Sequence, residues 1–573
     1  MKYTISYENP NTQYIPIKAE FDVKKSKKVL LQFPVWRPGR YERSDFVKNI
    51  HGFNILSGKD KVAFKKVSKD CWEVNCEGID HLEVSYKYYA AELNAGSCYM
   101  DNKQLYINQV NCLVYIIEQM DQPCSLELDI PENFKIACGV KFEKNKATFT
   151  DFHELVDSPF IASPSLHHLQ FSCKNILFHL WFQGDVKLDD KVIPDIERYT
   201  ESQIEKFGEF PVEEYHYLYQ ILDIRAYHGV EHQTSTVISL GPTYDLMSKL
   251  YDDFLGVSSH ELYHTWNVKA LRPVEWFPYD YSKENYSVLG YVAEGVTTYM
   301  GDLFLAESGV KDWDWYKGEF ENLMQRHFDN FGRFNYSVAE SSFDTWLDGY
   351  VAGVPNRKVS IYNEGALLAF MLDALIRTNS NNKASLHDVM RELYQNFAKK
   401  EKGYTAEDFQ GIVEKYADDN LSDFFKNYYF GTHSFEPVLT KALEQVGLKV
   451  ELRHNKSYAA QILGIKYSVD NNRTTVQNIY PGSSADLAGI MLGDDVMAVN
   501  GKTVNNDLDK WVEYYKDDQI ELILNRSGRT VSIICPHTNK SFYPIYKLEK
   551  TKAPSNLQKR IFKKWIGTDW EEI

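Results

Sequence analysis

The chain has 573 residues, 43% hydrophobic and 25% charged, with a formal net charge of −16. That length exceeds one hydrophobic core and suggests about three globular domains. The acidic balance repels phosphate backbones and argues against nucleic-acid binding.

Residues 1 to about 178 read as β structure. Runs such as "HLEVSYKYYAAEL" and "CSLELDI" alternate apolar and polar residues and are broken by Pro, Asn, Asp and Gly, a spacing that suggests a sandwich. Further on, "YHYLYQILDI" and "GVEHQTSTVISLG" read as strands. After Pro242 the period becomes helical, in "YDLMSKLYDDFLGVSSHELYHTWNV", "YVAEGVTTYMGDLFLAES", "NEGALLAFMLDALIR", "LHDVMRELYQNFAKK" and "TAEDFQGIVEKYA". From about 440 short strands return, in "QILGIKYSV", "TTVQNIYPGSSADLAGIMLGDDVMAVNGKTV" and "QIELILNRSGRTVSIIC", with a helix at "LDKWVEYY" between them. The mildly basic tail "LQKRIFKKW" reads as a solvated surface helix. The expected divisions are 1–178, 179–437 (strand-rich to about 242, then helical), 438–545, and a tail at 546–573.

No run of 18 apolar residues occurs, so no membrane span is expected. The N-terminus lacks the apolar core and cleavage site of a signal peptide, which gives a cytoplasmic expectation; a processed periplasmic or secreted form is the alternative. The eight cysteines read as buried free thiols, with one or two disulfides in the first domain as the alternative.

The stretch "SSHELYHTWNVKALRP", Ser258 to Pro273, carries the chemistry. Helix residues four apart differ by about 40° around the axis, so His260 and His264 project from one face. Two imidazoles so placed can both reach one Zn²⁺. Glu261 lies about 100° round from His260 and can reach a water on the metal without being a ligand, the H-E-x-x-H pattern of a zinc hydrolase. A solvated or core-satisfied histidine pair is the competing reading. A hydrolytic site needs a third protein ligand. Glu294, 30 residues after His264, is the candidate, because a carboxylate among apolar residues is costly to bury unless paired or metal-bound. A surface glutamate at a helix start is the alternative.

With "HELYHTWNVKALRP" followed by "EGVTTY", the sequence resembles the glycyl aminopeptidase family, zinc peptidases with a trailing PDZ domain. "FPVWRPGRYERSDFVKNI" is similar to that family's first-domain motif, "GVEHQTST" to its G-x-E-H segment, and "YNEGALLAFMLD" to its tyrosine-containing helix start. The resemblance implies a multidomain α+β protein: an N-terminal β-sandwich, a thermolysin-like mixed β/helical zinc peptidase domain, and a C-terminal PDZ domain. It implies one Zn²⁺ per chain on His260, His264 and Glu294, with Glu261 as general base. It also implies Tyr362 as oxyanion donor, although Glu364 stands where lysine is expected.

By the same resemblance Glu231 would recognise the α-ammonium of a substrate, with His232 beside it. Gly229 would let the backbone approach the substrate closely. Asn267 is a candidate partner for a metal-bound imidazole. Leu463, Gly464 and Ile465 resemble the PDZ loop that captures a C-terminal carboxylate, so a C-terminal peptide is an implied partner; a packed structural cap without ligand is the alternative. The tract "PVWRPGRY" reads as a buried aromatic corner around Trp36 and Tyr41, with shaping of the substrate cleft as the alternative. The implied activity is removal of N-terminal Gly or Ala from peptides. A zinc endopeptidase, if Glu231 points away from the metal, and a peptide-binding scaffold with a non-catalytic metal site remain as alternatives.

Overall fold

The computed structural model describes residues 1–24, 26–350 and 353–572. The chain forms two compact units, one of Met1–Glu319, Asn330–Val446 and Pro554–Ile573, the other of Phe320–Asp329 and Gly447–Ala553.

In the first unit, the strand Tyr14–Asp22 shows why the N-terminal region is β. Ile15, Ile17, Ala19 and Phe21 alternate with polar residues and point to the core. It belongs to a seven-stranded sheet, between Lys2–Ser6 and His81–Tyr89. Two four-stranded sheets share the same core: Ile17 and Val84 from the large sheet meet a cluster that includes Leu31, Val74, Leu105 and Phe160. The expected boundary at 178 falls inside a hairpin, because His167–Cys173 pairs with Ile176–Gln183 in the next sheet.

That next sheet has five strands, in the order His167–Cys173, Ile176–Gln183, Glu214–Ile221, Ser235–Gly241, Ala226–Glu231. Its inner pairs are parallel and its outer pairs antiparallel. The parallel step from Ile176–Gln183 to Glu214–Ile221 needs a crossover. The helix Val192–Phe207 supplies it. Val192, Ile196, Tyr199, Ile204 and Phe207 form its buried stripe. Ala226–Glu231 is the sheet edge on which the helix Tyr251–Tyr263 packs. Beyond it lie Thr297–Glu307, Ile361–Asn379, Leu386–Asn396 and Ala406–Ala417, as the helical periods predict. The C-terminal helix Asn556–Ile566 is less solvated than its sequence suggests: Ile561, Phe562 and Trp565 are buried, and Trp565 Nε1 donates to the Tyr299 hydroxyl at 2.9 Å.

In the second unit, the strands Ile465–Asp470, Arg473–Ile479, Asp495–Val499, Ile520–Arg526 and Arg529–Cys535 are neighbours in that order. Val476, Val499, Leu508 and Leu522 lie in its core. The run "QILGIKYSV" is not a continuous strand: Ala459–Leu463 is a π-helical turn, and the strand begins at Ile465. All eight cysteines are buried and unpaired. No helix among the described residues is long and apolar enough to cross a membrane.

Candidate metal centre

The helix Tyr251–Tyr263 carries His260 and Glu261, and His264 caps its end. The sheet holds this helix from below: Tyr215 donates to the carbonyl of Glu261 at 3.4 Å, and Tyr219 bonds Ser258 Oγ at 2.9 Å. The helix Thr297–Glu307 crosses it so closely that a Cβ on Gly301 would lie 3.0 Å from His260 Cα. Glu294 enters on the π-helical segment Tyr291–Val296 that precedes this crossing helix. Such one-turn π segments recur at functional sites, because they re-aim a side chain within a helix.

Three donor atoms converge. His260 Nε2 and His264 Nε2 are 3.0 Å apart, and Glu294 Oε2 lies 3.8 Å from the first and 3.4 Å from the second. A tetrahedral ion with bonds of roughly 2.0–2.1 Å spaces its ligands about 3.3 Å apart, so this triangle fits one. His264 Nδ1 donates to the backbone carbonyl of Asn267 at 2.7 Å, which leaves Nε2 as the ligating nitrogen. The side chain of Asn267 then bonds the carbonyl of Val292 at 2.9 Å and Thr297 Oγ1 at 3.1 Å, tying the loop after the histidines to the segment that bears Glu294. Burial opposes charge on His264, but Glu294, with Glu231 and Glu261 behind it, outweighs burial and pushes the ring above its ordinary range. A site that concentrates carboxylates around a proton in this way is suited to a divalent cation in the proton's place.

A second cluster, His179, Glu214 and His216, shows what the first has that it lacks. Trp181 Nε1 donates to His216 Nδ1 at 3.2 Å. An indole only donates, so this nitrogen accepts, and the neutral ring carries its proton on Nε2, the atom facing Glu214. Burial, then His179 and His168, press the His216 pKa down to about 3, so the ring is neutral. The nitrogen that would ligate a metal is thus occupied by a proton.

Glu261 is buried against the edge strand. A Cβ on Gly229 would lie 2.1 Å from Glu261 Oε1, so the bare Cα of Gly229 makes room for Glu261. Burial, and then the neighbouring Glu231 and Glu294, push the Glu261 carboxyl well above the ordinary range, against the opposing pull of His264. Glu231 joins Glu261 and His264 within one cluster of donor atoms. It is buried, and its Oε1 has no hydrogen-bond partner. Gly39 of the N-terminal region abuts it, since a Cβ there would lie 2.4 Å from Glu231 Oε2. The Tyr362 ring lies 6.4 Å from that of His260. Burial, then Glu294, raises its phenol well above the usual value, so it keeps its proton at neutral pH. Glu364 is buried nearby in sequence.

His232 turns elsewhere. Its Nδ1 faces Asp157 Oδ1 at 3.2 Å, and Asp157 also accepts from Lys269 Nζ at 2.7 Å and from the backbone of Gln233 at 2.9 Å. Asp157 and Lys269 were not legible as a pair, because 112 residues separate them. Trp36 and Tyr41 form the expected aromatic corner: Tyr41 stacks on Trp276 at 4.3 Å, and Trp36 meets Trp346 at 5.1 Å. From the same tract, Gly39 abuts Glu231, and Arg37 Nη2 meets His228 Nε2 at 3.4 Å on the same strand. Tyr350 is a further phenol here, accepting from Tyr41 N at 3.2 Å, with its ring 6.3 Å from Tyr362. In the second unit, Leu463 and Ile465 are buried, and Gly464 takes φ +75°. Its N–H already donates to the Ala459 carbonyl, and its carbonyl accepts from Tyr480 N at 2.8 Å.

Comparison with known proteins follows the same lines. Residues 2–164 match the peptidase M61 N-terminal domain, and residues 253–368 match the M61 glycyl aminopeptidase domain. The crystal structure of an aminopeptidase N family protein from Idiomarina loihiensis superposes with a TM-score of 0.90 at 26% identity, covering 99% of each chain. An M1 zinc metallopeptidase from Deinococcus radiodurans gives a TM-score of 0.47 at 13% identity, over 76% of this chain and 93% of that one. That likeness is too low to bear on function. No curated protein matches the chain.

Proposed function

We propose, from the premise that this metallopeptidase belongs to the M61 glycyl aminopeptidase family, that it is a zinc-dependent aminopeptidase acting on peptides with a free N-terminus. His260, His264 and Glu294 would hold the ion. Zinc bound there lowers the pKa of water and polarises a carbonyl. Glu261 accepts the proton of the attacking water and returns it to the amine as the C–N bond breaks. Tyr362 donates to the oxyanion that forms, a contact worth about 2.7–4 kcal/mol of barrier.

Glu231 carries the exopeptidase reading. It is a buried carboxylate with an unpartnered oxygen, beside Glu261 and His264. A buried acceptor without a donor is costly. A substrate α-ammonium supplies that donor by a charge-assisted hydrogen bond. The Gly and Ala preference of the family resemblance sets the reference substrates.

The test compares glycyl and alanyl anilides with their N-acetylated forms, with and without a chelator. Cleavage of only the free amines, lost with chelator, supports the proposal; cleavage of blocked peptides makes the protein an endopeptidase. Glu261→Gln keeps zinc and loses turnover, and surviving turnover removes Glu261 from its role. The second unit reads as a PDZ-like module. Its edge strand Ile465–Asp470 has one neighbour in its sheet and can add a peptide strand on the other side. The hydrogen bond from the Gly464 N–H to the Ala459 carbonyl speaks against a carboxylate seated in that loop.

A further inference from the structure

We propose that Arg37 makes this enzyme selective for an acidic N-terminal residue, taking the side-chain carboxylate of Asp or Glu while Glu231 takes the α-ammonium. The inference rests on the aminopeptidase reading of Glu231.

Arg37 is 3% exposed, and burial presses against its charge. A buried guanidinium is normally matched by a carboxylate. Arg37 has none: among the described residues it forms no ion pair, and its contacts are the Pro38 carbonyl at 3.2 Å and His228 Nε2 at 3.4 Å. The charge that most favours its ionised state is that of Glu231, which does not touch it.

The fold builds a seat for this cation. The guanidinium lies flat on Gly96, where a Cβ would fall 2.1 Å from Nη2 and 2.2 Å from Cζ. Gly96 is fixed in turn: its N–H donates to Asn94 Oδ1 at 2.9 Å, and its carbonyl accepts from Asn111 Nδ2 at 2.8 Å. The seat adjoins the α-ammonium position. Arg37 contacts His228, three residues before Glu231 on the edge strand, while Gly39 abuts the Glu231 carboxylate itself.

Glu231 and Arg37 are therefore a buried carboxylate on the edge strand and a buried guanidinium from the N-terminal tract beside it, neither held in an ion pair among the described residues. Their complement is a ligand with a cation and an anion a few bonds apart. An N-terminal Asp or Glu is such a ligand, with its carboxylate one or two methylenes from the α-carbon that bears the ammonium. Gly and Ala leave the guanidinium unmatched, and Lys or Arg brings like charge against it. A site that holds a buried polar group discriminates strongly against ligands that leave it unpaired.

The experiment measures kcat/KM of the zinc-loaded full chain on Glu-, Asp-, Ala-, Gly- and Lys-anilides. Glu or Asp is expected to exceed Ala at least tenfold, with Lys lowest. Arg37→Met is expected to lower the Glu-to-Ala ratio at least tenfold, chiefly through KM, and Arg37→Lys to restore part of it. Because Arg37 is buried, inhibition of wild-type Ala-anilide cleavage by free L-glutamate, L-alanine and L-lysine gives a second measurement. L-glutamate is expected to bind at least tenfold more tightly than L-alanine. Cleavage of Ala and Gly with no acidic preference, or a ratio unmoved in a folded Arg37→Met, overturns the inference and leaves the aminopeptidase standing. No cleavage of any free-amine anilide overturns both.

Discussion

Gly295 and Gly365 meet backbone to backbone: a Cβ on the first would lie 2.4 Å from Gly365 Cα, and one on the second 2.7 Å from Gly295 Cα. Each glycine neighbours a site residue. Gly295 follows Glu294, and Gly365 lies one turn after Tyr362. The contact thus sets the distance between Glu294 and Tyr362, the residues proposed as third metal ligand and oxyanion donor. Gly365→Ala would gain up to about 1 kcal/mol of helix propensity in isolation. Here the methyl has no space, and overpacking costs about 1–3 kcal/mol. A misplacement on the order of 1 Å costs about 10²-fold in rate. Gly365→Ala should therefore lower both the urea midpoint and kcat. Gly411→Ala, in the helix Ala406–Ala417 with nothing near the added methyl, should raise the midpoint and leave kcat alone. A Gly365→Ala enzyme within twofold of wild type would show that the two segments can separate freely.

Asn267 links the two halves of the candidate metal site. Its backbone carbonyl orients His264, and its side chain holds the segment of Glu294. Loss of such outer partners typically weakens metal binding by about 10–100-fold. Asn267→Ala should raise the zinc dissociation constant within that range, read by competition with a chromogenic chelator. An unchanged constant would mean that the main-chain carbonyl alone fixes the ring.

The candidate metal cluster was legible in the sequence because its signals are local. The spacing of His260 and His264 is a property of one helix, and the apolar setting of Glu294 declared a buried carboxylate. Glu231 and Tyr362 needed the family resemblance, since no spacing rule ties an edge-strand glutamate or one tyrosine among 39 to a distant helix. At Gly229 the sequence did not disclose that its bare Cα accommodates Glu261, a contact made by the fold across 32 positions. Arg37, Asp157 and Lys269 stayed hidden because their partners come from other parts of the chain. Gln461–Leu463, the end of the turn Ala459–Leu463, was read as strand because short apolar runs do not separate the two periods.

Lys269, only 1% exposed, forms an ion pair with the part-buried Asp157, joining the loop after the helix Tyr251–Tyr263 to the N-terminal region. Burial opposes the charge on Asp157, but Lys269 and His232 outweigh it and hold the carboxyl well below the usual range. Removing one partner strands the other charge, at about 3–5 kcal/mol. Asp157→Ala should lose that much stability by denaturant titration, and Asp157→Ala with Lys269→Met should recover part of it. If the double variant is no more stable than the single, the charge on Lys269 is not what the loss reflects.

Glu307 offers a pH test away from the metal. It faces His387 Nε2 at 3.2 Å and is paired with Lys206, and its side chain is 8% exposed. Burial works against its ionised form, but His387 and Lys206 outweigh burial and bring its pKa down to about 2 from an ordinary 4.5. A carboxyl depressed in the folded state stabilises the fold above its unfolded pKa, and that stability is lost as pH falls toward the folded value. The contribution, about 3 kcal/mol, is therefore fully present above pH 5 and fades between pH 4.5 and 2. Glu307→Gln cannot titrate, so the gap in melting temperature between it and wild type should be widest near neutrality and close on the acid side. A gap constant from pH 7 to pH 3 would assign the stabilisation to packing and not to charge.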